Sequence, residues 1–201
     1  FYKSADGFLV RTKGGVSADR INNDPTYQRT RENNAEFGMS AGAGKLLRTA
    51  LRNLMMTASD NRVVSRLTQL MTDVKNLDAA NDRGERHVHE GFNFNNRAIL
   101  SGILFKAYAL NTTTGAVDIT GLVPTMDLVS APGSSHVTIK AGWSKVDFAT
   151  GEFETVISNA VNLPINGTSS NVALAQTAPP ALATGISVFT LSVEFYQEVN
   201  G

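Results

Sequence analysis

The chain is 201 residues long, enough to bury a sizeable core in one domain or in a small domain with a large appendage. Its 18 basic and 18 acidic side chains cancel, which removes the electrostatic case for nucleic acid or an anionic membrane as the main partner and leaves self-association unopposed by net charge. The absence of cysteine excludes disulfides and thiolate metal sites, and no apolar run reaches membrane-spanning length or forms an N-terminal signal-peptide core.

Residues 1–23 read as an extended N-terminal arm. Phe1, Tyr2, Phe8, Leu9 and Val10 surround a polar Ser4, Asp6 and Gly7, and the segment ends at the joint Gly14-Gly15. Such a segment either lies on its own subunit or adds a strand or apolar plug to a neighbour. Residues 24–86 read as a helical region. Asp24-Pro25 supplies an N-cap and a first-turn proline. The polar stretch Tyr27 to Glu36 then meets Gly38, Gly42 and Gly44, each costing roughly 1 kcal/mol in a helix interior relative to alanine. The glycines are taken as a break between two helices, with a close-packed helix crossing as the other reading.

From Lys45, the residues Leu46, Leu47, Ala50, Leu51, Leu54 and Met55 form one apolar stripe. Ser59-Asp60 restarts the chain as a helix cap, and Val63, Val64, Leu67, Leu70, Met71, Val74 and Leu77 form a second stripe. The two helices are expected to make an antiparallel hairpin whose packing face is Leu47, Leu51, Leu54, Val63, Leu67, Leu70 and Val74. Arg62, Arg66, Lys75, Arg83 and Arg86 lie among Asp60, Asp73, Asp78, Asp82 and Glu85, so this surface reads as a salt-bridged, solvated face and not as a basic patch.

Close to residue 90 the hydrophobic period changes from helical to strand-like without a linker, and residues 87–201 read as a β-sandwich domain. Candidate strands are Phe92 to Asn95, Ala98 to Leu110, Ala116 to Thr120, His136 to Phe148, Phe153 to Ile157 and Ile186 to Val199. Their breaks are Thr114-Gly115, Ala131-Pro132-Gly133, Thr150-Gly151 and Asn166-Gly167. Beyond Gly91 only Arg97, Lys106, Lys140 and Lys145 are basic, against seven carboxylates. The fold class is therefore α+β: an N-terminal arm and antiparallel helical hairpin followed by an antiparallel β-sandwich.

No catalytic constellation accompanies this architecture. Gly44-Lys45 lacks the spacing and the following hydroxyl residue of a phosphate loop. Gly142-Trp143-Ser144 runs into Lys145 instead of completing a nucleophile elbow. His87 and His89 would project to one side of a strand, but the third histidine, His136, has no acidic neighbour in sequence. Glu152 and Glu154 fall at a strand start, where charges usually face solvent. No cofactor, no metal and no enzymatic activity are expected.

One resemblance spans both halves. The stretch Lys13-Gly14-Gly15-Val16-Ser17-Ala18-Asp19-Arg20-Ile21, Asp24-Pro25, Arg29-Thr30-Arg31-Glu32-Asn33, Glu36-Phe37-Gly38, Lys45-Leu46-Leu47-Arg48 and Arg66-Leu67-Thr68, with the closing Phe195-Tyr196-Gln197-Glu198-Val199-Asn200-Gly201, resembles an uncharacterised family of small helical-plus-β proteins from Bacteroidota genomes. Members of that family begin a few residues before Phe1, without a secretion signal, and continue past Gly201, which implies that the chain is part of a longer one. The resemblance implies no activity and no site residue.

The expected function is that of a structural protein, a self-assembling subunit of a homopolymeric filament, tube or particle whose partners are copies of itself. Phe1, Tyr2, Phe8, Leu9 and Val10 form its assembly arm. The alternative is a β-sandwich binding module for a carbohydrate or protein ligand, with Trp143 and Tyr108 as contacts. The compartment is left open, with an extracellular or surface assembly favoured although no signal peptide is visible.

Overall fold

A computed structural model describes residues 2–4, 7–10, 15–58, 60–81 and 91–199. They fall into two compact units, residues 1–39 and 40–201, each taken separately below.

In the first unit, β1 (Tyr2–Ser4) and β2 (Gly7–Leu9) pair antiparallel, with Tyr2 opposite Leu9 and Ser4 opposite Gly7. A hairpin thus forms within the segment read as an extended arm, and Gly7, at the start of β2, adopts a positive φ of 115°. Helix α1 (Ala18–Asn23) follows, with the Ser17 side chain accepting from the Arg20 amide. Asp24 caps a 3-10 turn (Pro25–Tyr27) by accepting from the Thr26 amide at 3.0 Å, with Pro25 in the first position as the sequence indicates. Arg31 donates to the carbonyls of Ile21 and Asp24 at 2.7 and 2.9 Å, tying that turn to the start of α2 (Gln28–Ala50).

The helix α2 runs through Gly38, Gly42 and Gly44 without interruption, so the expected break does not form. In the second unit, Gly44 is buried, and a Cβ placed on it would lie 3.6 Å from the backbone of Leu67 and Thr68. That is ordinary contact distance, so α2 and α4 (Val63–Asn81) approach closely enough to admit a small residue and nothing larger, and the packing of the helix outweighs the propensity cost. Between them, the apolar stripe is split: Leu51 leaves helical geometry, and the short α3 (Arg52–Met55) turns Leu54 and Met55 inward. The two long helices pack antiparallel.

Residues 91–99 are irregular, which corrects the strand expected at Phe92 to Asn95. Phe92 and Phe94 stack edge to face at 5.1 Å and pack against the helical core. The strand expected over Ala98 to Leu110 is replaced by α5 (Leu100–Ile103), a bridge from Leu104 to Leu128, and the two-residue β3 (Ala109–Leu110). Next come β4 (Val117–Leu122), α6 (Pro124–Asp127), β5 (His136–Val146), β6 (Phe153–Ile157), β7 (Val161–Pro164), β8 (Ser170–Leu174) and β9 (Ile186–Tyr196).

These strands form two antiparallel sheets. One has the order β3-β4-β8; in the other, β5 is central, with β9 on one side and β6 and β7 pairing with successive halves of its opposite side. The alternation of strand side chains explains how one sheet serves two cores. Val137, Ile139 and Ala141 of β5, with Leu191, Val193 and Phe195 of β9, face Val117, Ile119, Leu122, Val172 and Leu174 of the other sheet. Val146 and Val188, on the opposite face, join Leu47, Leu51, Leu54, Val63 and Leu67 of the helices. Residues 141–144 are consequently buried on both faces.

Candidate functional site

The sequence singles out two sets of residues, and the fold treats them differently. Of the arm, Phe1 lies outside the described residues, as does the Tyr2 side chain. Phe8 is 78%, Leu9 43% and Val10 69% exposed, so three apolar side chains at the start of the chain face solvent. Of the helical face, Leu47, Leu51, Leu54, Val63 and Leu67 converge in one buried cluster with Leu70 packed against it, and Val74 is buried further along α4. This second set is the interior of the second unit, seated on β5 and β9.

Two details of that seat are not evident in sequence. A Cβ on Gly142 would fall 2.2 Å from Leu54 Cδ1 and 2.7 Å from Thr190 Oγ1, so only glycine leaves room for Leu54 on the sheet. The Thr155 hydroxyl donates to the Ala50 carbonyl at 2.7 Å, satisfying an orphan acceptor at the C-terminal end of α2. Since that proton is committed, Ser144 Oγ, 2.7 Å away, donates to Thr155.

Arg66, read as part of a salt-bridged, solvated face, does pair with Asp60 but is half-buried and acts as a hub. It donates to the Asn93 carbonyl at 2.6 Å, to the Phe94 carbonyl at 3.2 Å and to Asp60 Oδ2 at 2.8 Å, with its guanidinium 5.1 Å above the Phe92 ring. Asp60 also accepts from the amides of Asn96 and Arg62. The Asn96 amide chiefly, then the Arg62 amide and the Arg66 charge, hold its carboxyl below the usual range against the opposing effect of desolvation.

A second polar cluster lies on the helix-side face of the sheet, beyond the helices' footprint. Glu194, 8% exposed, sits directly opposite Thr138 and diagonally from Lys140, whose ammonium is 2.9 Å from its carboxylate. Ser192 Oγ and the Tyr196 hydroxyl donate to the same carboxylate. Burial pushes this carboxyl up, but the Tyr196 and Lys140 hydrogen bonds prevail and hold it lower than an ordinary glutamate; the same bond pushes the Tyr196 phenol up. The cluster locks β9 onto β5. His136, without an acidic neighbour in sequence, lies 3.9 Å from Glu198 Oε2 and shares a hydrogen bond with Ser135.

The remaining expected features are placed as follows. His87, His89 and Glu90 lie outside the described residues, and among the described residues no group of three or more metal-ligating side chains occurs. Trp143 is buried, packs on Phe189 at 5.3 Å and donates to Ser187 Oγ, whereas Tyr108 is half exposed. Glu154 is not a free surface carboxylate: it accepts from the amides of Ala181 and Leu182 and pins the loop that carries Pro179-Pro180. Lys145 and Asp147 hold the same loop at Ala183 and Thr184. Among the described residues no helix is long and apolar enough to cross a membrane.

Compared with protein-family models, curated proteins and solved structures, the chain matches none. The α+β fold described above therefore rests on the chain's own residues.

Proposed function

We propose that this protein is a structural subunit that assembles with copies of itself into a filament, tube or particle, and that it is not an enzyme. The observation that carries the reading is the outward presentation of Phe8 and Leu9, on a strand that has one short partner and no third strand among the described residues, and of Val10 just after that strand. Apolar side chains gathered on such an element gain most from burial against another molecule. The zero net charge of the chain favours copies of itself over nucleic acid as partner. Membership of the Bacteroidota family that the sequence resembles belongs to the same reading and adds no activity to it.

The test is light scattering of the purified chain across a concentration series, with negative-stain microscopy of the same samples. Regular polymers that disappear in the Phe8→Asp/Val10→Asp variant support the proposal. A monomer at every concentration overturns it.

A further inference from the structure

Strand β9 is a bare sheet edge. Over its 11 residues its one ladder partner among the described residues is β5, in unbroken register from Ile186 opposite Val146 to Tyr196 opposite His136. Alternate N–H and C=O groups on its other side therefore point away from the sheet. The devices that usually blunt such an edge are missing: β9 has no proline, lysine, arginine or bulge. Its one charge, Glu194, is already engaged by Lys140, Ser192 and Tyr196.

The two sides of the sheet pair differ. On the β7 side, the Asn159 side chain accepts from the Ala175 amide at 2.8 Å and donates to the Ala173 carbonyl at 3.1 Å, acting as a strand backbone that joins the bend after β6 to β8. On the β9 side nothing comparable occurs among the described residues. Leu191, Val193 and Phe195 face the same core as the fully buried Val137 and Ile139 but are only half-buried. The strand β3, which ends the other sheet on the side away from β8, has two residues, with Leu110 39% exposed. Among the described residues no strand pairs with the outer edge of β9.

We infer that this place is taken by the Phe8–Val10 segment of a second copy of the chain, paired along the outer edge of β9 with Phe8 and Val10 turned onto Leu191, Val193 and Phe195. The edge demands an extended backbone, and Phe8 and Leu9 are already extended in β2, with Val10 the next residue. Once the strand is prolonged by one residue, Phe8 and Val10 fall on one side of it; both are exposed, and neither brings a charge into the core. Strands of three residues paired only with each other have little stability of their own in water, so a third strand is their main gain. A contact between two different surfaces propagates into a filament wherever its rotation does not close a ring. The inference rests on the assembly reading above and assigns its interface.

The lack of cysteine makes the test direct. Full-length chains bearing Phe8→Cys or Val193→Cys are mixed and treated with a short bismaleimide, with exposed Thr57→Cys replacing the second as a control, while light scattering follows assembly. The expected result is a mixed Phe8→Cys/Val193→Cys adduct as the main inter-chain product, lost when Val10→Asp is added to the first chain. Adducts only between like chains, or no more than the Thr57→Cys control gives, in samples that still polymerise, overturn the interface and leave the assembly reading standing. Neither adducts nor polymers overturn both.

Discussion

Single residues decide how closely the layers meet. Gly142 is required by space, since any side chain there strikes Leu54 and Thr190; Gly142→Ala should cost about 1–3 kcal/mol in denaturant unfolding, as overpacking does. Gly44 tells the opposite story. A methyl group at that position meets α4 at ordinary contact distance, 3.6 Å, so Gly44→Ala should be neutral or stabilising by up to about 1 kcal/mol through helix propensity, whereas Gly44→Leu should separate the helices and destabilise.

Titration at the residue scale has a defined sign. Glu194 and Asp60 are both held below their ordinary carboxyl range in the folded chain. Their contribution to stability is therefore complete above the unfolded values, near pH 4, and is lost as pH falls through the lower folded ones. Glu194→Gln should flatten the acid limb of a stability-against-pH curve measured by thermal unfolding. An unchanged acid limb would show that the Lys140, Ser192 and Tyr196 contacts do not hold this carboxylate.

At the scale of elements, the segment from Gly91 to Leu100 keeps its place on α4 through one side chain. Arg66→Ala removes its three hydrogen bonds and leaves Asp60 without a counter-charge, so a loss of about 2–3 kcal/mol is expected. Hydrogen exchange of residues 91–100 should accelerate before that of β5. Thr155→Val, which uncaps α2 at Ala50, should cost about 1 kcal/mol.

The same scale shows what the sequence disclosed. The strand Phe153–Ile157 coincides with its apolar run, and β9 is legible because Phe189, Leu191, Val193 and Phe195 alternate with polar residues. Phe92 and Phe94 alternate in the same way, yet they pack on helices, since local period carries no information about what lies opposite. The short strands Val161–Pro164 and Ser170–Leu174 carry no strand signal in sequence because each holds only two inward apolar residues between turn signals. The glycine run suggested a break because propensity is local, while the close approach at Gly44 depends on Leu67, far along the chain. The candidate arm was legible from its apolar side chains, but the β9 edge was not: which strand lies outermost is a property of topology.

At the scale of the second unit, β5 and β9 are shared by two cores, with helices on one face and a second sheet on the other. That arrangement leaves the long β9 edge and the half-buried Leu191, Val193 and Phe195 on a side that no strand closes among the described residues. On the proposed reading a second copy completes this edge with its exposed Phe8–Val10 segment. The measurement that reaches this claim most directly is amide hydrogen exchange along residues 186–196, compared between dilute and concentrated protein. The expected result is that alternate amides of β9 become protected on concentration in the unmodified chain and stay unprotected in the Phe8→Asp/Val10→Asp variant. Equal exchange in β9 at both concentrations, in samples whose mass shows polymer, would contradict the account.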